Sequence, residues 1–274
     1  MFIDSHAHLF FEDFQKDLGD VLQRARDAGV ERIVCPGTDL ETSKKSVELA
    51  EQFDMVYAAV GFHPHDAKKA ARGDGTINPS MLDEIDRLCT HPKVVAIGEI
   101  GLDYHYNYSP PDVQRLVFAR QIELARMREL PIIIHTREAE SDVLRIVQQR
   151  IDSGWKNSRM GVFHCFPGDV AMAEKVIGWG FFISIPGPVT FPAKPTKPNL
   201  MVEVVTRIPA EHILLETDSP YLTPHPLRGK RNEPSYIPII AGKIAELRNC
   251  PVDEIGLKSS ESAGRLFNLD TNRR

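Results

Sequence analysis

Eight short apolar runs punctuate the chain, and the stretches between them read as helix. The runs are Phe2–His6, Arg32–Pro36, Met55–Gly61, Val94–Glu99, Pro131–His135, Met160–His164, Phe181–Ile185 and Ile213–Thr217. Most are nearly continuous in Val, Ile, Leu and Phe, the pattern of parallel strands covered on both faces. In the first intervening stretch Phe14, Leu18, Val21, Leu22 and Ala25 share one helical face. Thr38-Asp39-Leu40-Glu41 reads as a capping box. Asn78-Pro79 and Ser109-Pro110 each set a capping residue before a proline suited to a first helical turn. Eight strand–helix units without an internal linker predict an α/β chain, a (β/α)8 TIM-type barrel forming a single domain over residues 1–274. The tail from Pro251 to Leu269 reads as an extra C-terminal helix. A doubly wound open sheet is the structural alternative.

A chain of 274 residues suits one large α/β domain or two ordinary ones. With 42% hydrophobic and 26% charged residues, the composition is that of a soluble globular protein. The net charge of -5 argues against bulk attraction to nucleic acid, though not against a local basic surface. Cys35, Cys89, Cys165 and Cys250 are far apart and form no Cys-x-x-Cys pair, which predicts reduced thiols. No apolar stretch reaches the ~18 residues of a membrane span. Asp4, His6 and His8 stand where a signal peptide would need an apolar core, so the expected location is cytoplasmic.

In a (β/α)8 barrel the site lies at the C-terminal ends of the strands, and the polar residues collect there. The first run delivers His6 and His8, one residue apart, so that both side chains can face one point. The fourth ends in Glu99, the fifth in His135 and the sixth in His164; Glu216-Thr217-Asp218 follows the eighth. Any one of these could be a satisfied core histidine or a capping carboxylate. Six at one rim favour a shared metal site, because a polar group ending an apolar run needs a partner or a cavity. Four imidazoles and two carboxylates exceed the needs of one tetrahedral ion and suit two divalent ions. The predicted sets are His6, His8, Glu99 and Asp218 for one ion, and Glu99, His135 and His164 for the other. The identity of the ions (Mg, Mn, Zn or Co) is left open.

These motifs resemble the TatD family of metal-dependent deoxyribonucleases, within the metal-dependent hydrolase barrels. The residues concerned are Asp4-Ser5-His6-Ala7-His8, Gly61-Phe62-His63-Pro64-His65, Gly98-Glu99-Ile100-Gly101-Leu102-Asp103-Tyr104, Pro131 to Arg137, Phe163-His164-Cys165-Phe166, Leu214 to Tyr221 and Arg228 to Pro234. The resemblance covers nearly the whole chain and implies a TIM-type barrel, divalent metals and phosphodiester hydrolysis; its ligand pattern agrees with the sets above. The sequence departs from the pattern at Pro167, where a serine is frequent, in the proline-rich Ile185-Pro186-Gly187-Pro188, and at Ser262, where an asparagine is common. None of these removes a proposed ligand.

Around the metals, the resemblance suggests His63 as a donor to a phosphate oxygen, against the plainer reading of a loop histidine. Asp103 either orients a ligand, binds substrate or caps a helix. Arg137 carries a planar donor fork suited to phosphate. Arg228 and Lys230, with Arg231, lie in the loop after the eighth strand, where a polyanion would enter. Phe62, Tyr104 and Tyr221 are candidates for base stacking, although core packing is the commoner fate of such rings. The expectation is a metal-dependent exodeoxyribonuclease in which Glu99 bridges and Asp218 accepts the proton of an activated water. Its partner would be DNA, single-stranded or with frayed ends, without membrane or obligate protein partner. Two alternatives stay open: a carbonyl hydrolase (amidohydrolase, lactonase or aminoacyl-tRNA deacylase) using the same metals, and an inactive nucleic-acid-binding or scaffold barrel.

Overall fold

The computed structural model describes residues 1–192 and 199–269. Eight strands are hydrogen-bonded in chain order in one sheet: β1 Phe2–Asp4, β2 Val30–Pro36, β3 Val56–Val60, β4 Val94–Asp103, β5 Ile132–Arg137, β6 Gly161–Phe163, β7 Phe181–Ile185 and β8 Ile213–Leu215. Between and after them come α1 Leu18–Asp27, α2 Leu40–Gln52, α3 Pro79–Leu88, α4 Pro111–Arg128, α5 Glu140–Asp152, α6 Val170–Gly178, α7 Leu200–Arg207, α8 Ile237–Arg248 and α9 Val252–Phe267. Ser5 N donates to Leu215 O at 2.9 Å and Ala7 bridges Ser219 in parallel, so the last strand returns to the first. This is the (β/α)8 barrel class, with α9 as the predicted extra helix.

The described residues of Met1–Cys35 and Cys165–Arg274 form one compact unit, and Pro36–His164 the other. In the first unit, β1 pairs in parallel with β2 and β7 with β8. Helix α9 fastens the start of this unit. A Cβ on Gly256 would lie 2.8 Å from the Phe2 ring, so the glycine is what lets the helix approach β1. Ser259 Oγ accepts from Leu215 N at 3.0 Å, satisfying a strand donor from outside the ladder. Ser262, at the position of a common family asparagine, is buried and donates to Glu211 O at 2.7 Å.

In the second unit, β4 is the longest strand and is buried throughout. It runs four residues beyond the predicted end at Glu99. The register against β5 shifts between Ile97 and Ile100, so Gly98 and Glu99 sit in an irregularity inside the strand rather than at its end. Two glycines of β4 are sites of close approach: a Cβ on Gly98 would lie 2.6 Å from Ile133 Cβ, and one on Gly101 (φ +143°) 1.9 Å from His135 O.

Three start signals shift. Helix α1 begins at Leu18, leaving Phe14 in a separate 3-10 turn, Glu12–Phe14. The α2 cap is Asp39, not Thr38, and its box closes on Thr42, whose backbone N donates to Asp39 Oδ1 at 2.9 Å. Helix α4 begins at Pro111; Ser109 instead donates to His65 O at 2.8 Å and accepts from Lys68 N at 3.1 Å. Asn78 does precede α3.

Candidate metal centre

The residues after β1 and β8 build the first ligand set. Strand β1 stops at Asp4, and Ala7 alone resumes pairing, so His6 and His8 flank a bridge residue and retain the alternation predicted for a strand. Their Nε2 atoms lie 3.2 Å apart, and 3.6 and 3.5 Å respectively from Asp218 Oδ1. Both histidines are buried. Asp218 is left-handed (φ +56°), a conformation that aspartate tolerates better than most residues. Its backbone N donates to His6 O at 2.9 Å. Asp4 locks this geometry, accepting from Thr217 N, Thr217 Oγ1 and His6 N at 3.0, 2.6 and 3.2 Å. Burial pushes the Asp4 carboxyl up to about 8 despite these bonds. Glu216, also buried, accepts from Cys165 N and Ser184 Oγ, both at 2.6 Å, and so anchors the residue before Thr217-Asp218.

In the second unit three imidazoles converge on one carboxylate oxygen. Glu99 Oε1 lies 2.8 Å from His135 Nδ1, 3.0 Å from His164 Nε2 and 3.4 Å from His63 Nε2. Ligand atoms of His63, Glu99 and His135 all lie within 4.8 Å of one another. Behind them Asp103 Oδ2 faces His135 Nε2 at 3.1 Å and His65 Nε2 at 3.0 Å, while Oδ1 accepts from the backbone of His105 and Tyr106. A carboxylate behind a ligating histidine fixes its ring and raises its basicity. Burial works against the Asp103 charge, but the bonds from His135 and His65 outweigh it and hold the carboxyl far below the usual range. Burial likewise lowers His135, yet the Asp103 and Glu99 carboxylates carry it above its ordinary value. His63 has less compensation, and burial brings it down to about 4, leaving the ring neutral near pH 7.

Both donor sets fit a divalent ion. Bonds of ~2.1 Å to nitrogen and oxygen in a tetrahedron place ligand atoms about 3.4 Å apart, and the separations here run from 2.8 to 3.6 Å. Water activation and charge stabilisation on an acyl or phosphoryl oxygen are the chemistries such sets support.

The other predicted residues divide. Arg137 is exposed, with its guanidinium 4.7 Å over the Tyr106 ring. Arg228 and Lys230 are exposed, the former 4.4 Å over the Phe191 ring. Arg231 is committed to Asp17 at 2.7 and 2.8 Å and packs over Phe14. Of the stacking candidates, Phe62 is in the core and Tyr104 donates to Asp142 at 2.7 Å; Tyr221 is exposed. The proline-rich Ile185-Pro186-Gly187-Pro188 leads from β7 into a 3-10 turn, Gly187–Thr190, and residues 193–198 beyond it lie outside the described residues.

Two α4 glutamines were not legible as site residues. Gln121 bonds both backbone groups of Phe62 and thereby seats His63, while Gln114 bonds both of Asp103. Both are fully buried. Their seven-residue spacing along the apolar face of a helix was the available signal. Asn232 is a third such pin, donating to Thr217 O and Tyr221 O across Asp218 at 2.8 and 2.5 Å.

Comparison with known proteins shows the family. The profile of the family described as TatD related DNase matches residues 3–268. The chain is 44% identical over 270 residues to the uncharacterized metal-dependent hydrolase YabD of Bacillus subtilis, covering 98% of this chain and 100% of that protein. It is 32% identical to the 3'-5' ssDNA/RNA exonuclease TatD of Klebsiella pneumoniae, covering 98% of each. The crystal structure of YjjV, a TatD homologue from Escherichia coli, superposes with a TM-score of 0.87 at 31% identity, covering 98% of both chains. The chain belongs to the TatD family of metal-dependent hydrolases.

Proposed function

We propose that the protein is a metal-dependent exodeoxyribonuclease, releasing nucleotides from single-stranded or frayed DNA ends in the cytoplasm. The observation that carries this reading is the convergence of His63, His135 and His164 on one Glu99 oxygen, with the exposed Arg137 two residues beyond His135 on β5. We assign His6, His8, Glu99 and Asp218 to one ion and Glu99, His135 and His164 to a second, so that residues 1–274 act as one domain with Glu99 shared. The nitrogen-rich sets suit Zn, Mn or Co better than Mg, which prefers oxygen ligands. When bound, the ions supply a water of lowered pKa and Lewis acidity at the phosphoryl oxygen.

The protein's own groups supply the rest. Asp218, whose Oδ1 faces two imidazoles, takes the proton of the attacking water. His63, uncharged near neutral pH, donates a hydrogen bond to a non-bridging oxygen. Arg137 sets its fork against the adjoining phosphate, and Arg228 and Lys230 guide the strand toward the site. Among the described residues no helix is long and apolar enough to cross a membrane. The name of the Klebsiella relative supports strand-end chemistry and adds RNA to the substrates worth testing.

The test is hydrolysis of end-labelled DNA, RNA and a panel of carboxylic esters and lactones by the metal-reconstituted protein. Stepwise shortening of DNA is expected. Turnover of esters without turnover of any strand would replace the reading by a carbonyl hydrolase.

A further inference from the structure

Beside the second ligand set lies a pair of rings that the metal chemistry does not use. Tyr106 and Tyr108 are 46% and 57% exposed, although exposed aromatic side chains leave apolar area in water. Their planes are within 4° of parallel, with centroids 5.4 Å apart. The local sequence builds this arrangement. Asp103 Oδ1 accepts from the backbone of His105 and Tyr106, turning the chain after β4, and Asn107 is left-handed (φ +54°), which asparagine tolerates. Two residues apart across that turn, the tyrosines stack instead of diverging.

The pair is coupled to the site through three contacts. The His65 ring meets Tyr106 and Tyr108 edge-on, with centroids 5.5 and 4.9 Å away. His65 Nε2 lies 3.0 Å from Asp103 Oδ2, and the same oxygen lies 3.1 Å from His135 Nε2. Arg137 stands over Tyr106, so a fixed cation adjoins the aromatic surface. A flat apolar face next to a guanidinium and a metal-ligating histidine matches a nucleotide, which carries a flat base, an anionic phosphate and little else to recognise. Protein partners that bury aromatic patches do not call for this charge arrangement.

We propose that Tyr106 and Tyr108 form a stacking platform for an unpaired nucleobase of the substrate strand, with Arg137 on that nucleotide's phosphate; this rests on the phosphodiesterase reading above. A base held by its π-face is read without regard to identity, so the platform selects unpaired over paired residues rather than one base over another. A base still paired and stacked in a duplex has no face to offer.

The experiment uses the full-length, metal-loaded protein and single-stranded oligonucleotides with a non-hydrolysable terminal linkage. The terminal residue, at one end or the other, is either 2-aminopurine, whose fluorescence falls on stacking, or abasic. Wild type and Tyr108→Phe are expected to quench the probe at one end and to bind that strand about tenfold or more tightly than its abasic counterpart. The Tyr106→Ala/Tyr108→Ala double variant, with unchanged metal content, is expected to lose both the quenching and the preference. Equal quenching and an equal preference in wild type and the double variant would overturn the platform, whether or not strands are hydrolysed. Ring-dependent quenching in a protein that hydrolyses no strand would support the platform while removing the nuclease reading.

Discussion

Gly101→Ala separates an account based on backbone geometry from one based only on ligand identity. Gly101 has no side chain to offer a substrate, yet it pairs with His135 in the β4–β5 ladder. A methyl group there would lie 1.9 Å from His135 O, against an ordinary carbon–oxygen contact of about 3.3 Å. Something must move by more than 1 Å, and the neighbour is backbone rather than a flexible side chain tip. Overpacking of this kind costs ~1–3 kcal/mol, and a non-glycine residue forced to φ +143° adds ~1–3 kcal/mol. The total of ~2–6 kcal/mol corresponds to a fall in melting temperature of roughly 5–15 °C for a chain of this size. The displaced carbonyl belongs to His135, whose Nδ1 lies 2.8 Å from Glu99, so bound metal should fall as well. Gly242→Ala is the control. That glycine lies inside α8 with nothing within 4 Å of its added Cβ, and alanine there should stabilise by ~0.5–1 kcal/mol. Differential scanning fluorimetry with metal analysis reads both variants. A Gly101→Ala protein melting within 1 °C of wild type with full metal content would refute the close-packed β4–β5 account.

Asn232→Ala should destabilise by ~2–4 kcal/mol in urea denaturation, since it strips partners from the Thr217 and Tyr221 carbonyls in a buried loop. Asp39→Ala should cost ~1–2 kcal/mol at pH 7 as a lost cap. Burial acts to raise the Asp39 carboxyl, but Lys69 at 2.6 Å and Thr42 hold it below its ordinary value. A depressed carboxylate stabilises fully above its unfolded pKa of ~3.9, and this is lost as pH falls through the folded value. The gap between Asp39→Ala and wild type should therefore narrow below about pH 4; a constant gap would contradict the Lys69 assignment. Linear single strands should be degraded faster than a circular strand of the same sequence, and equal rates would replace exonuclease by endonuclease action.

The order of elements was legible because each strand is a compact apolar run, and the candidate ligands stood out because polar residues interrupt or follow five of those runs. What misled was local sequence whose meaning depends on a distant partner. Glu99 looks like the end of its strand until the shifted register against β5 carries β4 on to Asp103. Ser109 looks like a cap until the His65 carbonyl claims its hydroxyl. Arg231 belongs with Arg228 and Lys230 by charge, but Asp17, 214 residues away, ties it down. Among the aromatics, the sequence offers Phe62, Tyr104 and Tyr221 for stacking, whereas the exposed parallel pair is Tyr106 and Tyr108. Only the fold decides which rings are buried, and the turn at Asn107 decides which pair stacks.

The shared role of Glu99 is the central claim, and metal content is its most direct measure. Elemental analysis of wild type, Glu99→Ala, His8→Ala and His164→Ala, each dialysed against the same metal buffer, should find two ions per wild-type chain. Glu99→Ala should lose more metal than either histidine variant and lose activity with it. A Glu99→Ala protein that kept its full complement of metal and normal turnover would contradict the two-ion arrangement.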